Sequence, residues 1–269
     1  TSMEAIEAAL SLETAFISLS HVAYKSAFMY DMAAVNQLAK ENGALTLWDL
    51  SHAVGAVDLQ LNKSGADMAV GCTYKYLNGG PGAPAFLYIR KELQEQLQNP
   101  IAGWFGHKSP FEFAENYAAD SGIQRFAAGT PTVLSMAGIE PGLDIMNDAG
   151  MENLRRKSVQ QSEFLLKMIE SELVPFGFKI ASPLDSSERG SHISIQHPNG
   201  FQINQAMISP KKANAKIIIP DFRPPTNIRL GIAPLYNTFT ELAETVSRIK
   251  EIVEEQEYEQ FSAEIKGVS

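Results

Sequence analysis

Cysteine is all but missing from this sequence. Cys72 stands alone, so no internal disulfide can form and no cluster of thiols exists to hold zinc. That usage suits a reducing compartment. No apolar run approaches the roughly 20 residues that a membrane-spanning helix needs, and no signal-like segment opens the chain. The expectation is therefore a cytoplasmic protein without a membrane partner. Lys and Arg are not gathered into a stripe, and acidic residues outnumber basic ones by 31 to 22, for a formal net charge of -9. Both facts argue against a nucleic-acid surface. The short basic runs Arg155-Arg156-Lys157 and Lys211-Lys212 read as solvated surface. Internal repeats and low-complexity stretches are also lacking.

What is present describes a folded chain. Hydrophobic residues make up 45% of the 269 and charged residues 20%, a balance that supports one large or two modest domains. Residues 1–12 read as a helix, with Thr1 and Glu4 spaced as a capping box. A short strand at 15–19 runs into Ser20-His21-Val22. Asp31 is a good N-cap for a helix through Met32, Val35, Leu38 and Ala39, which Asn42-Gly43 ends. Residues 45–47 form the next strand and deliver Trp48-Asp49. Another strand, 66–71, leads into Cys72-Thr73-Tyr74-Lys75-Tyr76-Leu77-Asn78-Gly79-Gly80-Pro81-Gly82, and an apolar strand follows at 83–89. Strand, helix and strand in turn, with short apolar runs, is the pattern of a parallel sheet covered by helices.

Beyond Arg90 the periodicity weakens. Gly103-Trp104-Phe105-Gly106-His107, residues 122–126 and Ala127-Ala128-Gly129-Thr130-Pro131 read as functional loops. Long helical patterns follow at 134–147 and 151–172. Strand-like pieces come at 178–180, 192–196, 216–219 and 228–232, and an amphipathic helix runs through Leu242, Val246, Ile249 and Ile252. The tail reads as a separate small α/β domain with a hinge near 148–152.

The chemistry concentrates in two places. Lys75 lies just past a strand, at the carboxyl edge where parallel sheets carry their sites. Two tyrosines flank it, and glycines after it allow close backbone approach. A lysine at a strand end can also simply point at water. Asp49, at the end of the neighbouring strand, is costly to bury unless something cationic meets it; capping the next turn is the other reading. His52, one turn later, could hold Asp49 by a hydrogen bond. A lysine able to form a Schiff base, beside an acid able to keep a ring nitrogen protonated, is what pyridoxal phosphate requires. Ser20, Tyr74 and Trp104 are candidates for its phosphate.

Trp48-Asp49-Leu50-Ser51-His52-Ala53-Val54-Gly55-Ala56-Val57, residues 72–87 and Gly103-Trp104-Phe105-Gly106-His107 resemble the signature blocks of the kynureninases, hydrolases of the class V aminotransferase group that use pyridoxal 5'-phosphate. Arg125-Phe126, Gly129-Thr130-Pro131, Ile228-Arg229-Leu230-Gly231 and Pro234-Leu235-Tyr236-Asn237 extend the likeness over nearly the whole chain. The resemblance implies the α/β architecture of PLP-dependent transferase fold type I. Residues 1–148 would be the C-terminal portion of a large PLP-binding domain with a mostly parallel sheet, and 149–269 a small C-terminal α/β domain.

The same resemblance implies Lys75 as the Schiff-base lysine, Asp49 as the partner of the pyridine nitrogen and His52 as its support. Tyr74 and Trp104 would contact the phosphate, Tyr74 doubling as a proton relay. Ser20 would line the pocket, and Thr130 would stand at its edge, reaching across a homodimer. Arg229 would bind the substrate carboxylate, with Arg223 a weaker candidate; a surface salt bridge is the other reading of Arg229. The implied reaction is hydrolysis of L-kynurenine to anthranilate and L-alanine in tryptophan degradation, with 3-hydroxykynurenine less favoured. Kynureninases carry about a third more chain before the point where this sequence starts, including the ring that stacks on the cofactor. The residues 1–269 alone are therefore expected to bind it poorly. An aminotransferase of the same group and a non-catalytic domain are the alternatives. A cysteine desulfurase fits less well, because Cys72 precedes Lys75 where that chemistry needs a thiol well after it.

Overall fold

The computed structural model describes residues 2–264. They divide into two units, each with its own sheet. One takes in the chain up to His21 together with Asp31–Val54 and Leu59–Ile145; the other holds Val22–Tyr30, Gly55–Asp58 and the chain from Met146 onward.

The first unit opens with α1 (Met3–Ala9). Its cap is Ser2, whose hydroxyl accepts the Ala5 N–H at 3.3 Å; the expected cap, Thr1, lies outside the described residues. The helix is shorter than the expected 1–12 because the chain is already extended at Leu10. β1 (Phe16–Ser20), β2 (Leu45–Asp49) and β3 (Met68–Cys72) form a parallel array in that order, and β4 (Ala85–Ile89) closes it antiparallel to β3. Between β1 and β2 runs α2 (Met32–Glu41), capped by the Asp31 carboxylate on the Ala34 N–H at 3.0 Å. The single turn α3 (Leu61–Ser64) precedes β3, and another, α4 (Lys91–Gln94), follows β4. Trp48 is 1% exposed, and its indole N–H meets Asn36 Oδ1 at 2.8 Å. A buried indole needs such an acceptor, and α2 supplies it.

The helical pattern expected over 134–147 is broken into α5 (Val133–Ala137) and α6 (Glu140–Ala149). Gly142 in α6 approaches the turn after Lys75 so closely that a Cβ there would lie 2.7 Å from the Leu77 carbonyl oxygen.

The second unit is an antiparallel sheet under three helices. β5 (Lys179–Ile180), β6 (His192–Gln196), β8 (Asn227–Gly231) and β7 (Asp221–Arg223) lie in that spatial order. α7 (Met151–Glu172), α8 (Gly200–Ile208) and α9 (Phe239–Glu254) bury Leu165, Ile169, Ile203, Met207, Val246 and Ile249 against Ile193, Ile195, Phe222 and Ile228. The strand expected at 216–219 is instead irregular and the pairing edge is 221–223. Arg155, expected in solvent, is partly buried and donates to the Ser186 and Arg189 carbonyls at 2.7 and 2.8 Å. Its long side chain serves to fasten the 183–189 loop.

Arg248 and Glu257 form a buried ion pair, 3% and 4% exposed, with two hydrogen bonds of 2.8 and 2.6 Å. Removing Glu257 leaves the buried Arg248 with Glu251 alone, at 3.0 Å, whereas replacing both members of the buried pair removes the charge together with its partner. Glu257→Ala should therefore cost about 3–5 kcal/mol in urea unfolding. The double replacement Arg248→Met with Glu257→Leu should lie close to the unsubstituted chain.

Candidate active site

Parallel pairing places Ser20 directly opposite Asp49, both at the carboxyl ends of their strands. The Ser20 hydroxyl donates to Asp49 Oδ2 at 3.3 Å, and the Ser51 N–H donates to Oδ1 at 2.8 Å. Two residues after an aspartate is where a backbone N–H can close an Asx turn, so Ser51 belongs to this site although the sequence reading gave it no role. Burial works to raise the Asp49 pKa. The bonds from Ser51 and Ser20 and the charge of His52 oppose it, and the carboxyl ends below its ordinary value of 3.8. It is an anion throughout the neutral range.

Lys75 is reached three residues past β3. Its loop is tied down by Asn78 N–H to the Lys75 carbonyl at 3.0 Å, Gly79 N–H to the Thr73 carbonyl at 2.9 Å and the Thr73 hydroxyl to the Pro84 carbonyl at 2.6 Å. Gly79 has to be glycine there, since a Cβ would sit 2.9 Å from the Thr73 oxygen. Lys75 Nζ lies 3.3 Å from His52 Nε2 and 5.7 Å from the centre of the Tyr74 ring. His52 thus faces the lysine as well as acting on Asp49 through its charge, a second contact beyond the support expected of it. Tyr74 is 52% exposed, and its hydroxyl is pushed up by the neighbouring Cys72 and, less, by burial and Asp49. Cys72 itself is buried, its Sγ 3.7 Å from the Ser51 carbonyl oxygen.

Trp104 and Thr130 come from two loops that touch each other. A Cβ on Gly103 would lie 1.6 Å from the Ala128 carbonyl oxygen, and one on Gly106 2.6 Å from that of Ala127. The two glycines are what let these loops close. Trp104 is 44% exposed and packs edge-on against Phe105 and Phe111, and Thr130 is exposed. Ser20, Asp49, His52, Tyr74 and Lys75 are therefore joined by direct contacts or charge, while Trp104 and Thr130 sit on a separate pair of loops within the same unit.

Arg229 belongs to the other unit. It is paired across β7 and β8 with Asp221, to which its Nη2 donates, and its Nη1 donates to the Tyr24 carbonyl at 2.6 Å. Arg223 makes a second ion pair with Asp221 at 2.8 Å. Asp221 and Tyr24 were not legible as partners, because nothing in their spacing from Arg229 marks them.

The donor set suits a cofactor carrying an aldehyde, a basic ring nitrogen and a phosphate. It offers one amine, one carboxylate held ionised, an imidazole beside the amine, and hydroxyl and indole donors nearby. Among the described residues no group of three or more His, Cys, Asp or Glu side chains could hold a metal ion, and no helix is long and apolar enough to cross a membrane.

A depressed pKa means that the carboxylate's favourable contacts add stability at neutral pH, and that this is lost as pH falls below 3.8 through the folded value. The Asp49 carboxyl signal in a carbon NMR titration should show a midpoint below 3.8. In Ser20→Ala the midpoint should move upward. A midpoint above 3.8 in the unsubstituted chain would contradict the account.

Residues 154–249 match the family model described as the kynureninase C-terminal domain. A kynureninase from Pseudomonas fluorescens is 38% identical over 265 residues, an alignment covering 98% of this chain and 62% of the relative. One from Burkholderia mallei is 40% identical over 246 residues, covering 91% and 58%. The chain thus spans about three fifths of the length of these relatives. Among solved structures, the cystine C–S lyase C-DES, in complex with its product cysteine persulfide, matches with a TM-score of 0.77 at 17% identity, covering 92% of this chain and 64% of that one. A cysteine desulfurase from Thermococcus onnurineus matches with 0.73 at 18%, covering 89% and 60%. These likenesses establish the expected α/β fold of PLP-dependent transferase fold type I. The sequence identity sustained over 98% of this chain, with the family model matched inside it, makes the chain similar to the kynureninases along nearly its whole length.

Proposed function

We propose that this chain carries catalytic machinery for the pyridoxal-phosphate-dependent hydrolysis of L-kynurenine to anthranilate and L-alanine. The observation that carries the reading is the group of Asp49, His52 and Lys75 at the carboxyl ends of β2 and β3, with Lys75 Nζ 3.3 Å from His52 Nε2. Its support is the similarity of the sequence to kynureninases. When bound, pyridoxal phosphate supplies an electron sink joined to the carbon that bears the substrate's amino group.

The chain's own residues would then divide the work. Asp49, kept ionised by Ser51 and Ser20, holds a proton on the ring nitrogen. Lys75 anchors the cofactor and afterwards moves the proton at the substrate's α-carbon. His52 Nε2 exchanges a proton with that amine across their contact. Tyr74, beside Lys75, relays a proton, and with Trp104 and Ser20 it offers donors to the phosphate. Arg229, whose planar guanidinium suits a carboxylate, takes the substrate's α-carboxylate. Water adds to the γ-carbonyl, and the bond between the β and γ carbons breaks to release anthranilate; its electron pair stays with the β-carbon side, which takes up a proton to become the methyl group of L-alanine.

The exposed Thr130 suits a residue that completes its site in a second copy, so a homodimer belongs to this proposal, as does the cytoplasm. The fold alone would also admit a cysteine desulfurase, but the single thiol is buried against Ser51.

Incubating the chain with pyridoxal phosphate, reducing with borohydride and mapping the adduct should label Lys75, and Lys75→Ala should abolish that label. A label retained in Lys75→Ala would overturn the proposal. In a preparation that releases anthranilate from kynurenine, Asp49→Ala should lower the rate by roughly 100-fold or more, read from anthranilate fluorescence.

A further inference from the structure

The arginine cluster of the second unit contains an acid that the reaction itself does not use. Asp221 lies opposite Arg229 in the β7–β8 register. Its Oδ2 accepts from Arg229 and forms an ion pair with Arg223 Nη2 at 2.8 Å. Its Oδ1 is buried and has no hydrogen-bond partner among the described residues. The charge of Asp221 is therefore met by the two guanidiniums. The three side chains are only 25%, 26% and 13% exposed for Asp221, Arg223 and Arg229, so solvent screens them weakly. Tyr24 closes the group: its carbonyl takes Arg229 Nη1 at 2.6 Å, and its ring lies 6.0 Å from the Arg223 guanidinium carbon.

We propose that Asp221 determines the ligand selectivity of the Arg229 site, binding the two arginines into one cluster that accepts a single carboxylate and discriminates against ligands carrying a second. This rests on the reading of Arg229 as the carboxylate site. Two guanidinium charges against one carboxylate leave one net positive charge, which a monocarboxylate neutralises. A dicarboxylate brings a further negative charge into the surroundings of Asp221, where weak screening makes the repulsion count. Asp221 also fixes the orientation of the Arg229 fork from one side while the Tyr24 carbonyl fixes it from the other. A ligand then meets a guanidinium already held in place, with little ordering cost left to meet. Asp221 is in this sense a positioning and selectivity residue, not a catalytic one.

The test follows the Arg229 Nε–H signal of the nitrogen-15-labelled chain while propionate and succinate are titrated separately. Asp221→Asn keeps the shape and removes the charge. Both ligands should bind tighter to it, because each sets a carboxylate on Arg229 beside the lost charge, and succinate should gain about threefold more than propionate through its second carboxylate, so that the succinate-to-propionate affinity ratio rises. Asp221→Glu, which keeps the charge, should retain the original preference and serves as the readout should Asp221→Asn fail to fold. In that event a Glu variant that binds succinate as tightly as propionate would overturn the inference. An unchanged succinate-to-propionate ratio in a folded Asp221→Asn protein would also overturn it, leaving Asp221 as a hairpin staple only. Arg229→Gln, followed through the Arg223 Nε–H signal and the backbone amides of β7 and β8, separates the two levels. Loss of propionate binding there supports the carboxylate site whatever Asp221 does, and retention of it defeats that site and this inference together.

Discussion

A carboxylate kept charged at the end of two parallel strands is the constraint on which the rest of the first unit depends. Asp49 is partly buried, and burial alone would favour its neutral form. The fold answers with a backbone N–H from Ser51, a hydroxyl from Ser20 and the charge of His52. Each of these follows from chain geometry. The parallel register sets Ser20 beside Asp49, the turn after β2 returns the Ser51 amide, and His52 sits where it can face both the acid and Lys75. An ionised carboxylate can hold a proton on a heterocyclic nitrogen, whereas a neutral one cannot.

Lys75 depends on a different device. Its loop follows β3 with no helix to stiffen it, and rigidity comes from close backbone packing. Gly79 and Gly142 permit the approaches to the Thr73 and Leu77 oxygens that hold the loop, and Gly103 and Gly106 do the same for the loops bearing Trp104 and Thr130. Glycine is the residue that permits such distances without displacing the neighbour. The glycine-rich composition of these segments is thus a packing requirement as much as a matter of turn chemistry.

Much of this could be read directly from the residues. Asp31 as a cap, Asp49 and Lys75 at strand ends, and the apolar face of α9 each depend on local pattern, and local pattern survives into the fold. The contact between His52 and Lys75 spans 23 positions and was not legible, because it depends on how β2 and β3 align. The same holds for Asp221, whose partners are fixed by a hairpin register, and for Arg155, whose burial depends on the 183–189 loop folding over it. The strand read at 216–219 was misplaced because apolar residues alone do not say which segment pairs with β8; the paired edge is 221–223, centred on the buried Phe222. The break between α5 and α6 falls at Gly138 and Ile139, a place where helical periodicity continued but the backbone did not.

The central claim is that Lys75 and Asp49 address one cofactor from two neighbouring strand ends. A crystal structure of the chain soaked with pyridoxal phosphate at a concentration high enough to fill a weak site tests it most directly. The account predicts continuous density from Lys75 Nζ to the aldehyde carbon, with the ring nitrogen at hydrogen-bond distance, about 2.6–3.2 Å, from the Asp49 carboxylate. Density joined to another lysine, or a ring nitrogen turned away from Asp49, would contradict it.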